Sequence, residues 1–186
     1  AAEHNISVTV FSNEWLKEAE SYIPNNMKLP VHIKCDTGMG RLGYRGGEQM
    51  KRAEQLIVQS SAYTLEGCFT HFATADEIDT EYYEMQYEKF IELLGALSKL
   101  PALIHSSNSA SSFRFEKAWF NGIRLGISMY GLSPSSEMKE LLPYPLKEAL
   151  TLHTKIVNVK QIEAGASVSY GATYQADKQE WIATLP

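Results

Sequence analysis

Four side chains that could do chemistry crowd into one short run, VHIKCDTGMGRLGYR at Val31–Arg45. They are the ammonium of Lys34, the carboxylate of Asp36, the hydroxyl of Thr37 and the guanidinium of Arg41. Glycines punctuate the same loop. Glycine lets a backbone N–H approach a ligand closely, and paired cations favour an anion, so the run reads as a site for a small anionic ligand. Three more clusters follow: His71 with Thr74 and Asp76, Asn108 with Ser109, and Arg124 with Gly126. Any one of them has the composition of a helix cap or a solvated loop. Four in succession, each at the end of an apolar run, are hard to explain by solubility alone.

The elements that must carry these clusters alternate. Ile6–Phe11, Val31–Cys35, Leu65–Phe69, Leu103–His105 and Ile123–Ser128 read as strands. Between them, helices are expected from Ser12 or Asn13 to Tyr22, from Gly47 to Ser60, over Asp79–Leu100 and over Asn108–Phe115. In the long helix, Tyr83, Tyr87, Phe90, Leu94 and Leu97 form one apolar stripe at steps of four and three. Strand and helix in strict alternation imply parallel strands joined by crossovers. The C-terminal ends of such strands converge on one face in a parallel barrel, and that is where the polar clusters fall.

The rhythm changes around Pro143–Leu150, and a domain boundary is expected near Pro134–Leu150. Thr151–Lys160, Ser167–Tyr170 and Trp181–Leu185 read as strands with no helix between them, and Ala164-Gly165 as a turn. The chain is therefore α/β over residues 1–140, with a linker and the opening of an all-β domain over 141–186.

Composition narrows the function. The net charge of −5 argues against nucleic acid as a partner, since phosphate binders present a basic face. Two cysteines, Cys35 and Cys68, lie in apolar strands and suit buried free thiols in a reducing compartment. Neither a signal peptide nor a membrane-length apolar run is present, and no metal-ligand spacing stands out, so a cytoplasmic enzyme or binding domain is expected. The chain opens on AAEHN and stops at WIATLP as a strand begins, which reads as a fragment.

Five pieces, HIKCDTGMGRLGY, THFATADE, HSSNSAS, IRLGISMYG and VSYGATY, together resemble the alanine racemase family in content and order. The resemblance implies a (β/α)8 barrel, of which this chain carries about the last five strands, followed by a β domain. It also implies pyridoxal phosphate as cofactor, alanine as substrate, a homodimer and a supply of D-alanine for peptidoglycan.

The resemblance assigns roles to residues. Arg124 matches the arginine that faces the pyridine nitrogen of the cofactor. A guanidinium accepts no proton and discourages protonation of that nitrogen, so the ring draws electrons less strongly than one facing a carboxylate. His71 matches the histidine that orients this arginine. Asn108 and Ser109 match the turn near the phosphate, and Gly126 and Ile127 would add backbone N–H groups. Arg41 matches an arginine near the substrate carboxylate and the cofactor's phenolic oxygen. Lys34 matches a lysine carried as a carbamate in many members. Tyr170 matches a catalytic acid/base that reaches the partner subunit's barrel.

The residues alone leave other readings open. Arg124 is also compatible with a surface ion pair, His71 with a structural imidazole, and Lys34 with an unmodified amine paired to Asp36 or exposed. Spacing does not choose between Tyr170 and Tyr174. The family's cofactor-anchoring lysine sits in a Lys-Ala-Asn-Ala-Tyr-Gly-like motif that this chain lacks, so these residues alone are expected to be inactive. A broader amino-acid racemase and a non-catalytic pyridoxal-phosphate-binding barrel protein are the alternatives.

Overall fold

A computed structural model describes all 186 residues. They form two compact units, Ala1–Ala149 and Leu150–Pro186. The division falls at 149/150. Residues 141–149 stay with the first unit, where Ala149 N–H donates to the Tyr130 carbonyl at 3.0 Å.

In the first unit the chain runs β1 (Val8–Val10), α1 (Asn13–Glu20), β2 (Leu29–Lys34), α2 (Gly47–Gln59), β3 (Tyr63–Phe69), α3 (Glu81–Gly95), β4 (Leu103–Ser107), α4 (Ser109–Arg114) and β5 (Gly122–Ile123). The strands pair in parallel in sequence order, β1-β2-β3-β4-β5. Sequential order with crossover helices is the wiring of a barrel, so the sheet is part of an α/β barrel. Ser12 caps α1 by accepting the Trp15 N–H at 3.1 Å.

Alternation along β2 decides which side chain meets what. Val31, Ile33 and Cys35 are buried against Met50, Ala53 and Ile57 of α2 and Phe90 and Leu93 of α3. His32 and Lys34 therefore stand on the opposite face. The thiols of Cys35 and Cys68 are free, buried and 3.6 Å apart. The α3 stripe packs as its spacing predicts, with Tyr83 and Phe90 fully buried.

Several expected elements differ in extent. The strand expected over Ile123–Ser128 stops at Ile123, and Ile127–Tyr130 is a 3-10 turn. Gly126 turns the backbone there (φ −108°, ψ −106°), and its N–H leaves the sheet to bond Ser109 Oγ. The helix expected over Asp79–Leu100 spans only Glu81–Gly95. The strand expected over Ser167–Tyr170 ends at Val168, because Ser169 takes a left-handed φ of 65°.

The second unit holds β6 (Asn158–Ile162), β7 (Ser167–Val168), β8 (Tyr174–Gln175) and β9 (Glu180–Thr184). The pairs β6/β9 and β7/β8 are both antiparallel. The expected strand over Thr151–Lys160 starts only at Asn158, and β8 carries no sequence signal of its own length.

Candidate active site

Each strand of the first unit delivers polar groups at its C-terminal end. β2 delivers Lys34 and then the glycine loop. Asp36 accepts N–H bonds from Gly38 (3.2 Å) and Gly40 (2.9 Å). The loop then returns to the strand: Tyr44 N–H donates to Lys34 O and Asp36 N–H to Tyr44 O, both at 2.9 Å. Gly43 makes this return possible. It sits at φ +123°, and a Cβ there would stand 2.6 Å from Lys34 O. Thr37 is also committed to structure, its hydroxyl 2.8 Å from that of Thr70. Of the four groups that first suggest an anion site, Asp36 and Thr37 build the loop, leaving Arg41 exposed at its tip.

Lys34 is neither exposed nor paired with Asp36. It is 2% exposed, and Nζ donates to the Cys35 carbonyl at 2.7 Å and lies 5.3 Å from the centre of the Phe69 ring. Burial first, then the Arg124 and Arg41 charges, pull its pKa down to about 8 despite the opposing effect of Asp36.

Arg124 follows β5 and is no surface ion pair. Its Nη2 donates to the Thr70 carbonyl (2.8 Å) and the Ser106 carbonyl (3.2 Å), and its Nη1 to the His105 carbonyl (3.1 Å). Two imidazoles accept from it as well, His105 Nδ1 at 2.7 Å and His71 Nδ1 at 3.2 Å. Its Cζ lies 5.2 Å from the centre of the Phe69 ring. Burial lowers its pKa only to about 10, so it remains a cation at neutral pH.

Burial, then the Arg124 charge, holds both His71 and His105 near a pKa of about 4, against an ordinary 6.5. Both are neutral at pH 7 and can accept from the guanidinium. Between pH 6.5 and 4 the unfolded chain binds protons that the folded chain refuses, so stability is lost as pH falls through that window. The thermal midpoint is expected to drop over this range, and more shallowly in His71→Asn. An unchanged slope in that variant would contradict the burial account.

His71, Asn108, Ser109, Arg124, Gly126 and Ile127 all line one cavity of about 290 Å³. Asn108 caps α4, accepting from Ser111 N–H at 3.0 Å. The N–H groups of Gly126 (2.9 Å) and Ser128 (3.4 Å) converge on one oxygen, Ser109 Oγ. Two backbone donors meeting at a single oxygen is the pattern a phosphate oxygen requires. With a guanidinium and a neutral imidazole in the same wall, the residues fit a phosphorylated heteroaromatic cofactor. No lysine lines this cavity.

Tyr170 and Tyr174 separate in the second unit. Tyr170 lies in a 3-10 turn, 99% exposed. The Tyr174 hydroxyl donates to Glu180 Oε1 at 2.7 Å, and this bond raises its pKa. Tyr170 is thus the uncommitted phenol.

Several groups at the site escape sequence reasoning. Gln86, fully buried in α3, donates to Thr37 Oγ1 and to the His71 carbonyl (both 3.3 Å) and accepts from Ala73 N–H (2.8 Å). It ties the loops after β2 and β3 together. Its signal is a polar residue set inside an otherwise apolar stripe. His32, Glu66 and His105 are the others, and only the strand alternation around them betrays their common face.

Residues 1–134 match the family model for the alanine racemase N-terminal domain, and residues 149–186 that for its C-terminal domain. The chain belongs to the alanine racemase family. It is 50% identical over all 186 residues to the alanine racemases of Geobacillus kaustophilus and Listeria innocua, covering 48% and 50% of their lengths. The chain therefore spans about half the length of the curated relatives it matches. Among solved structures it is similar to the Bacillus anthracis alanine racemase with bound L-Ala-P (TM-score 0.86, 42% identity, all of this chain and 49% of that one). It is also similar to the histidine racemase of Leuconostoc mesenteroides (TM-score 0.81, 30% identity, all of this chain and 50% of that one). Family membership accounts for the barrel wiring, the order of the strand-end clusters and the β unit that follows.

Proposed function

We propose that the enzyme to which these residues contribute interconverts L- and D-alanine using pyridoxal phosphate, in the cytoplasm and as a homodimer, and so supplies D-alanine for peptidoglycan. The observation that carries this reading is Arg124: a guanidinium in the cavity wall, held by three carbonyls and two neutral imidazoles and bonded to no carboxylate. When bound, pyridoxal phosphate supplies a conjugated ring that takes up the electron pair left as the Cα proton departs. On this reading Arg124 faces the ring nitrogen and has no lone pair with which to share a proton. That restraint suits quick removal and return of one proton over longer-lived side chemistry. His71 accepts one Nη2 proton and so holds the fork in place. The Gly126 and Ser128 amides, with Ser109 and Asn108, bound the phosphate end, and Ile127 closes beside them. Arg41, free at its loop tip, binds the substrate carboxylate. Tyr170 moves the Cα proton on one face.

Lys34 fits a carbamate. Its amine is depressed to about 8 and has no carboxylate partner, and the neutral fraction adds to CO₂ with release of one proton. The product is an anion facing Arg41 and Arg124, which replaces repulsion by attraction.

The Leuconostoc histidine racemase favours a second reading, a racemase of other amino acids. The β unit counts against a non-catalytic barrel protein, since residues 149–186 match the racemase C-terminal domain. The test is chiral analysis of products from the cofactor-loaded intact enzyme. Alanine is expected to turn over with kcat/KM about a hundredfold or more above histidine. Preference for histidine moves the reading to the second class, and turnover of neither overturns both.

A further inference from the structure

Arg124 is a half-buried cation whose direct partners are all neutral, yet a line of hydrogen bonds connects it to an anion. Arg124 Nη1 meets His105 Nδ1 at 2.7 Å. His105 Nε2 meets His32 Nδ1 at 2.8 Å. His32 Nε2 meets Glu66 Oε2 at 2.8 Å, and the Ser7 hydroxyl donates to the same carboxylate oxygen. The line crosses the sheet from the end of β5 through β4 and β2 to β3.

We propose that Glu66, acting through His32 and His105, is the remote counter-charge of Arg124, and that this line sets the orientation and proton-donor strength of the guanidinium. The inference rests on the reading of Arg124 given above.

The chemistry of the two ends fixes the direction of every bond between them. A guanidinium only donates, so His105 Nδ1 accepts and its proton sits on Nε2. That proton is donated to His32 Nδ1, which leaves the His32 proton on Nε2. The carboxylate only accepts, and takes it. Two rings therefore share one tautomer, and their dipoles align from cation to anion. The Ser7 and His32 bonds hold Glu66 below the usual carboxylate range, so it stays charged. Burial and the neighbouring charges keep His105 neutral, as a donor-acceptor link requires.

Packing holds the rings at the angles the line needs. Phe69 stacks on His105, with centroids 4.7 Å apart and planes 13° from parallel. Gly67 lies beneath His32, where a Cβ would stand 2.5 Å from the ring nitrogen Nδ1. Only a hydrogen fits there, so Gly67 clears the seat of the central imidazole.

The experiment uses ¹⁵N-histidine-labelled intact holoenzyme and the variant Glu66→Gln, which keeps an acceptor but removes the charge. In the parent, His32 and His105 are expected as neutral Nε2–H tautomers at pH 7. Either ring found as Nδ1–H or as imidazolium overturns the line, and that measurement needs no variant to fold. In E66Q, kcat is expected to fall about tenfold, with KM unchanged within about twofold and a displaced visible absorption of the bound cofactor. Parental kcat with parental absorption in E66Q overturns the role of the charge. A parent that shows both tautomers but no racemase activity overturns the function reading and leaves the line standing.

Discussion

Replacing Arg124 with glutamate is expected to slow racemisation by about a thousandfold, equivalent to roughly 4 kcal/mol of barrier. The substitution inverts a charge among groups arranged for a donor. Three carbonyls, of Thr70, His105 and Ser106, would face an acceptor in place of a donor. His71 and His105, held neutral in part by the Arg124 charge, would gain a carboxylate neighbour and rise in pKa. A carboxylate also shares a proton with a pyridine nitrogen, which a guanidinium does not. The bound cofactor should therefore absorb at longer wavelength during turnover as kcat falls. Arg124→Lys keeps the charge but not the planar fork that reaches carbonyls on both sides, and should lose activity with less spectral change. Steady-state kinetics with absorbance of the loaded enzyme checks both variants. Parental rate and spectrum in R124E would remove Arg124 from the chemistry.

The second large effect is expected at Tyr170. Tyr170→Phe deletes one hydroxyl from a ring that is 99% exposed, so folding should be unaffected. The loss is chemical, about a hundredfold to ten-thousandfold in racemisation. It should also be lopsided. Racemisation needs a proton taken on one face of Cα and returned on the other, and on the proposed reading the variant lacks one of those groups. Exchange of the Cα hydrogen with solvent deuterium should survive from one enantiomer and collapse from the other. Equal losses from both would count against two bases. Tyr174→Phe breaks only the bond to Glu180 and should racemise near the parental rate.

Much of this arrangement can be read along the chain. VHIKC alternates apolar and polar residues, which is the signature of a strand with helices on one side, and β2 packs that way. Strand-end clusters stand out because parallel wiring gathers strand C-termini on one face, and His71, Asn108, Ser109 and Arg124 do share a cavity. What escapes is whatever depends on a partner far along the chain. Asp36 and Thr37 carry ligand-like chemistry, but nothing nearby shows that Gly38, Gly40 and Thr70 already claim them. Gly126 ends β5 early because of Ser109, seventeen residues before it. The strand expected at Tyr170 fails on one left-handed residue, Ser169, whose type gives no warning.

The guanidinium of Arg124 is held chiefly by main-chain oxygens, and this bears on how the site tolerates drift. A peptide carbonyl is the same in every residue type. Thr70 and Ser106 can be exchanged without removing the oxygens that position Arg124. The placement of this guanidinium is thus inherited with the course of the backbone, and is shielded from most single-letter changes around it.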